Sequence, residues 1–200
     1  MTQDSKGVAV AGDKEDRISY LPRNVIDHIL DSLPIQDAAR TSIPSKNWRY
    51  ICSILPSFVL NKLFCNKLAA RSQYVFKETI DKILLQHLGD VVIFDLDVSG
   101  VQLSLCPDID RWMLYVTRNG VKKLTLNMSN NGKVPQGLPF TLNCLWHLRL
   151  GVNFSQMGQI SYTLELIKSS HKLSKLEIWG KELDSQDLKG TQAIIFGWAL

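Results

Sequence analysis

After Asp90 the template L-x-x-L-x-L recurs four times, as Ile93-Leu96-Val98, Val121-Leu124-Leu126, Leu145-Leu148-Leu150 and Leu173-Leu176-Ile178, with first residues 28, 24 and 28 positions apart. That period falls in the roughly 20–29 residues of leucine-rich repeats. Amphipathic stretches separate the repeats. Residues 108–118 place Ile109, Trp112, Met113 and Val116 on one face, with Gly120 past the end, and residues 159–169 place Ile160, Leu164 and Ile167 inward. A single strand-plus-helix unit cannot bury its own apolar face, so units must stack. The expected fold for residues 91–180 is therefore a short strand–helix solenoid of the α/β type.

The stretch ahead of the repeats reads differently. Over residues 16–60 the apolar residues fall in three short helical runs, each closed by a proline or a small polar residue. Pro22 suits a first helical turn, where a missing N–H costs nothing. Val25, Ile26, Ile29, Leu30 and Leu33 follow as one stripe, and Pro34 ends it. A second helix is expected over residues 36–42 around Ala38 and Ala39, separated by Pro44 from a third that Ser45 caps. Trp48, Ile51, Cys52 and Leu55 form the buried face of the third helix, and Pro56 stops it. Residues 61–90 read as a connecting helical segment. Its helix runs over residues 73–88, with Phe76, Ile80, Ile83, Leu84 and Leu88 on one stripe and Gly89 as the cap. Residues 1–15 lack periodicity and are expected to be a disordered leader.

A unit of about 45 residues cannot bury Leu21, Pro22, Ile26, Ile29, Leu30, Leu33, Trp48 and Ile51 within itself. Some of them must face a partner or the repeats. Trp48 and Arg49 are natural anchors of such an interface, the alternative for Trp48 being core of the small bundle.

Charge and cysteine usage exclude several classes. The net charge of +4 divides as −1, +1, +2 and +2 over residues 1–15, 16–60, 61–90 and 91–200. No segment is basic enough to predict a nucleic-acid partner. Cys52, Cys65, Cys106 and Cys144 lie 13, 41 and 38 positions apart, and His28, His87, His147 and His171 are as scattered. Neither a zinc site nor a disulfide framework is predicted, and no cofactor is implied. Reduced, mostly buried thiols fit the cytoplasm or nucleus. No apolar signal or membrane-length segment is present. Asp108 and Asp110 are read as helix-start residues, and no G-x-S-x-G, P-loop or G-x-G-x-x-G occurs, so a non-catalytic protein is expected. Residues 181–200 end on Ile194, Ile195, Phe196, Trp198 and Leu200, a poor outer face for a terminal repeat. This tail either folds back over the open end or marks a truncated or alternatively spliced product, the second being favoured.

Particular residues carry a family likeness. Asp16-Arg17-Ile18-Ser19, Leu21-Pro22, Ile29-Leu30, Leu33-Pro34, Asp37-Ala38, Arg40-Thr41-Ser42, Ser45-Lys46 and Trp48-Arg49-Tyr50 resemble the plant F-box motif. The repeats after them, with residues 164–170 and 173–178 similar to part of an FBD region, resemble plant F-box/FBD/LRR-repeat proteins. The resemblance implies a three-helix F-box (residues 16–60) that docks on a Skp-type adaptor, and through it on a cullin. It implies too that leucine-rich repeats hold an unknown protein substrate for ubiquitination; neither a nucleic-acid nor a membrane partner is expected from the charge and hydropathy above. The adaptor-binding residues it implies are Leu21, Pro22, Ile26, Ile29, Leu30, Leu33, Pro34, Trp48 and Arg49. Arg23 stands where the family has an acidic residue, and Pro44 where it has a leucine. A decoy that docks without a competent substrate surface, or a plain leucine-rich-repeat module with a degenerate F-box, are the rival readings.

Strand alternation assigns faces in the repeats. If Leu124 and Leu126 point inward, Lys123, Thr125 and Asn127 face outward, with Asp95, Asp97 and Ser99, then His147, Arg149 and Gly151, then Lys175, Glu177 and Trp179. One column reads Asp95, Lys123, His147, Lys175, with Arg149 beside it. Lys123, His147, Arg149, Lys175, Glu177 and Trp179 are thus the candidate substrate-binding residues, a mildly basic stripe able to hold an acidic or phosphorylated segment. The alternative is a solvated mixed-charge face.

Overall fold

The computed structural model describes residues 21–31, 50, 53–101, 107–128, 141–181 and 193–194. Five helices and six strands lie among them, in the order α1 (Arg23–Asp31), β1 (Ser57–Leu60), α2 (Lys62–Ala69), α3 (Gln73–Leu85), β2 (Ile93–Asp97), α4 (Pro107–Arg118), β3 (Lys123–Asn127), β4 (His147–Asn153), α5 (Met157–Ser169), β5 (Lys175–Lys181) and β6 (Ala193–Ile194). The strands form one sheet in sequence order, β1 to β5 parallel and β6 antiparallel on the edge of β5. Among the described residues, helices lie between β1 and β2, β2 and β3, and β4 and β5, the crossovers that parallel pairing requires.

The register shows which residues repeat. Phe58, Phe94, Leu124, Leu148 and Leu176 lie in one row, and Leu60, Leu96, Leu126, Leu150 and Ile178 in the next. All but Leu176 and Ile178 are buried, and those two pack against the same core. Two residues ahead of each strand comes one more apolar residue: Leu55, Val91, Val121, Leu145 and Leu173. The first unit of the sequence reading is therefore out of phase. Its three apolar positions are Val91, Phe94 and Leu96, while Ile93 sits on the opposite face and Val98 lies beyond the strand.

A further unit, Leu55-Phe58-Leu60, precedes it, inside the stretch expected to be F-box helix alone. Pro56 does stop helix there, but the chain continues as strand. One backbone motif recurs at every parallel joint. The carbonyls of Pro56, Val92, Lys122 and Trp146 each accept two consecutive N–H groups from the next unit, at 2.8–3.2 Å.

The helices cover the leucine face. Residues 61–90 do more than connect: Cys65, Phe76, Ile80 and Leu84 of α2 and α3 belong to the same core as the strands. Asn61 and Ser72 start these helices by accepting the N–H groups of Phe64 (2.9 Å) and Val75 (3.0 Å). The α3 helix ends at Leu85 rather than Leu88, and Gly89 is not its cap. Leu88 is 72% exposed, because its N–H is drawn to the Ser53 carbonyl at 2.7 Å and pulls the chain out of helix. In α4, Ile109, Trp112, Met113 and Val116 face inward as expected. Gly120 follows at φ 77°, a left-handed conformation that glycine adopts without strain. Asp81 of α3 fastens α4 by accepting from Arg111 Nη2 at 2.6 Å and Trp112 Nε1 at 2.8 Å.

The α5 helix is turned from its expected phase, although Ile167 still packs against the core. Gln159, Tyr162, Thr163 and Leu166 are buried and Leu164 is 49% exposed. The reason is polar: Gln159 Nε2 donates to the Met128 carbonyl (3.1 Å) and its Oε1 accepts from Asn153 N–H (2.7 Å). A fully buried amide thereby closes the ends of β3 and β4, and the stripe 159, 162, 163, 166 follows from it.

Ser99 is buried in a turn rather than presented outward, with its N–H and hydroxyl both donating to Asp97 Oδ1. Of the cysteines, Cys65 is buried, its thiol pushed up to about 12 chiefly by burial, whereas Cys144 is exposed, against the expectation of mostly buried thiols. The leader, the helix over residues 36–42, most of the third helix, Cys52, Cys106 and most of the apolar tail lie outside the described residues. Of that tail, Ala193 and Ile194 pair with Trp179 and Ile178. No described helix is long and apolar enough to cross a membrane.

Candidate docking surfaces

Two surfaces can meet a partner. The first is α1. The Pro22 carbonyl accepts the N–H groups of Val25 (2.9 Å) and Ile26 (3.1 Å), which fixes the first turn. Val25 and Ile29 are one turn apart and 38% and 37% exposed, making a short apolar ridge. Ile26, a sequence candidate for adaptor contact, is only 3% exposed and turned away from that ridge. One residue is about 100° of helix, so the stripe read as one face divides between a buried and an open side. Leu21 is half-buried and Pro22 exposed. Leu30 lies within α1, as does Arg23, whereas Leu33, Pro34, Pro44, Trp48 and Arg49 lie outside the described residues.

The second surface is the sheet face opposite the leucines. It gathers Lys123, His147, Arg149, Lys175, Glu177 and Trp179, all six of the repeat-face candidates. The rows differ from the expected column by one step. Ile93, Lys123, His147 and Lys175 share one row; Asp95, Thr125, Arg149 and Glu177 share the next; Asp97, Asn127, Gly151 and Trp179 share the third. Asp95 therefore stands beside Thr125, not Lys123, a consequence of the phase of the first unit.

Glu177 sits at the centre of the basic residues. Its Oε1 is 2.8 Å from Lys175 Nζ and 3.0 Å from His147 Nε2, and its Oε2 accepts from Arg149 Nε at 2.8 Å. Lys175, then Arg149 and His147, hold its carboxyl down at about 2, against the partial burial that opposes them. The stripe read as basic is thus partly neutralised from within. Two tryptophans bracket it: Lys123 Nζ lies 5.3 Å from the Trp146 ring centroid and the Arg149 guanidinium 5.5 Å from that of Trp179. Trp146, 38% exposed, was missed because it precedes its strand and has no place in the alternation. Gly151 matters here too. A Cβ on it would strike the Asn127 side chain and Trp179 Nε1, so only glycine lets both close over that row.

The β2 end is acidic. Asp97 Oδ2 accepts from Asn127 Nδ2 at 3.0 Å, while burial pushes the Asp95 carboxyl up, opposed by Arg149 and reinforced by Asp97. The described side chains of this face thus carry carboxylates at one end and an excess of cations at the other. No group of three His, Cys, Asp or Glu among the described residues is arranged to hold a metal ion.

Comparison with known proteins gives these surfaces a context. Residues 18–60 match the model of the F-box domain. The chain is 37% identical over 137 residues to the F-box/FBD/LRR-repeat protein At1g13570 of Arabidopsis thaliana, which covers 67% of this chain and 32% of that protein. It is 31% identical over 142 residues to the putative F-box/LRR-repeat protein At3g49150 (68% and 22%), and 35% identical over 118 residues to the F-box/LRR-repeat protein At3g59200 (56% and 22%), both of the same plant. The chain spans a third or less of the length of these relatives. No solved structure matches.

Proposed function

We propose that this chain, which has an F-box domain over residues 18–60 and is related to plant F-box/FBD/LRR-repeat proteins, is a non-catalytic receptor subunit of a Skp–cullin–F-box ubiquitin ligase. In this reading residues 16–60 dock on a Skp-type adaptor, which links them to a cullin, and the stacked strand–helix units are a short leucine-rich-repeat solenoid that holds a target protein. The observation that supports it most is the Val25–Ile29 ridge, an apolar surface left open within the matched F-box residues. Leu21, Pro22, Leu30, Leu33, Pro34, Trp48 and Arg49 complete the proposed contact; Ile26 supports it from inside.

The mechanism is proximity. Holding a target beside a conjugating enzyme replaces a bimolecular encounter with an effectively intramolecular one, so the receptor accelerates transfer without doing chemistry. Such a subunit works in the cytoplasm or nucleus. The test is reconstitution of the ligase with the adaptor and cullin. Adaptor-dependent ubiquitination of a protein captured by the chain, lost with Leu21→Ala/Pro22→Ala, is the expected result. Capture without ubiquitin transfer would favour the decoy, and capture without adaptor binding a plain repeat module.

A further inference from the structure

We propose that the open sheet face over β3 to β5 seats an acidic segment of the protein it holds, whose carboxylate or phosphate takes the place of Glu177 between Arg149 and Lys175. This rests on the reading of that face as the target surface. The cluster is built like an anion receptor whose anion is supplied by the receptor itself. Glu177 draws donors from two strands onto one carboxylate, and that side chain is 20% exposed, within reach of a competitor from solvent. Exchange is what such a site permits: the incoming group inherits donors that are already oriented.

Three further observations give the face its polarity. Arg149 uses only Nε on Glu177, and among the described residues no bond reaches its two terminal nitrogens, while 45% of its side chain faces solvent. A free guanidinium edge accepts a carboxylate or phosphate in bidentate fashion. Lys123 and Arg149 are positioned by tryptophan rings, so they stay in place when the anion changes. Finally, Lys123, Arg149 and Lys175 outnumber Glu177 over β3 to β5, whereas Asp95 and Asp97 repel an anion at β2. Charge complementarity therefore selects an acidic segment and fixes which end of the sheet it covers.

The test is fluorescence anisotropy with three labelled twelve-residue peptides: one carrying a run of Asp and Glu, one carrying phosphoserines in their place, and one neutral. The acidic or the phosphorylated peptide should bind about 10-fold tighter than the neutral one, with the preference fading between low and high salt. The comparison of those two tells which anion the face favours. Glu177→Gln should tighten anionic binding about 5-fold, because the resident competitor is gone. Lys123→Ala/Arg149→Ala should abolish it, with circular dichroism confirming the fold of both variants.

Equal binding of all three peptides, no tightening in a folded Glu177→Gln, or an oligothymidylate binding as tightly as the best peptide would overturn the proposal. If Glu177→Gln does not fold, the salt dependence and the Lys123→Ala/Arg149→Ala variant decide it. Adaptor capture, measured on the same preparations, separates this outcome from the ligase reading. Loss of peptide preference with adaptor binding intact refutes only the acidic-segment proposal, and the reverse refutes only the ligase.

Discussion

Glu177 and Asp95 are carboxylates on one sheet face with opposite electrostatic fates. Three basic side chains pull Glu177 down to about 2, below the ordinary 4.5, so its contribution to stability is present above pH 4.5 and drains away as pH falls toward 2. Acid unfolding followed by circular dichroism should therefore show a steep loss of stability in that window for the native chain and a flatter one for Glu177→Gln. Asp95 runs the other way. Burial raises its carboxyl, so the ionised form weakens the fold at neutral pH. Asp95→Asn should stabilise the protein at pH 7, read as a higher Tm, with the gain vanishing at low pH where the native carboxyl is protonated. His87 adds a third dependence: burial, its largest influence, lowers it from 6.5, so stability should also fall as pH drops below that value.

At the scale of single elements, α5 shows where pattern and packing part. Its apolar residues suggested Ile160, Leu164 and Ile167 as the inward stripe. A polar residue sets the phase instead, because Gln159 bonds both Met128 and Asn153 between neighbouring strands. Replacing Gln159 with Leu should cost about 2 kcal/mol, since a buried carbonyl and N–H are left without their partner. Leu166→Ala should cost about 2–5 kcal/mol and Leu164→Glu less than about 0.5 kcal/mol. Urea titration of the three variants checks the order. By contrast α4 was legible in full, because Ile109, Trp112, Met113 and Val116 have no polar competitor and Gly120 marks the end.

Strand phase was legible in β3, β4 and β5 but not in β2, where Ile93 and Val98 mimic the template that Val91, Phe94 and Leu96 fulfil. That slip of two residues displaced Asp95 by one row. β1 was hidden more deeply, since Leu55, Phe58 and Leu60 fit helix and strand periods alike over so short a run. The candidate face survived both errors, because alternation preserves parity when register slips by two. What alternation cannot supply is which charges pair, and Glu177 as the hub of the cluster follows only from the register of β4 on β5.

For the whole molecule, the residues matched to the F-box reach into the sheet, since Ser57–Leu60 are its first strand. The leucine core holds α2 and α3 against that sheet, next to its first strand. The proposed reading needs residues 16–60 to dock on a Skp-type adaptor while the sheet holds the target near the conjugating enzyme.

Calorimetric titration of a plant Skp-type adaptor into the chain tests this directly. Saturable one-to-one binding is predicted, weakened about 30-fold or more by Val25→Glu/Ile29→Glu, as expected for loss of a buried apolar anchor. Lys123→Ala/Arg149→Ala on the open sheet face should leave it unchanged. Absence of binding by the native chain, or a folded Val25→Glu/Ile29→Glu variant that binds the adaptor as tightly, would contradict it.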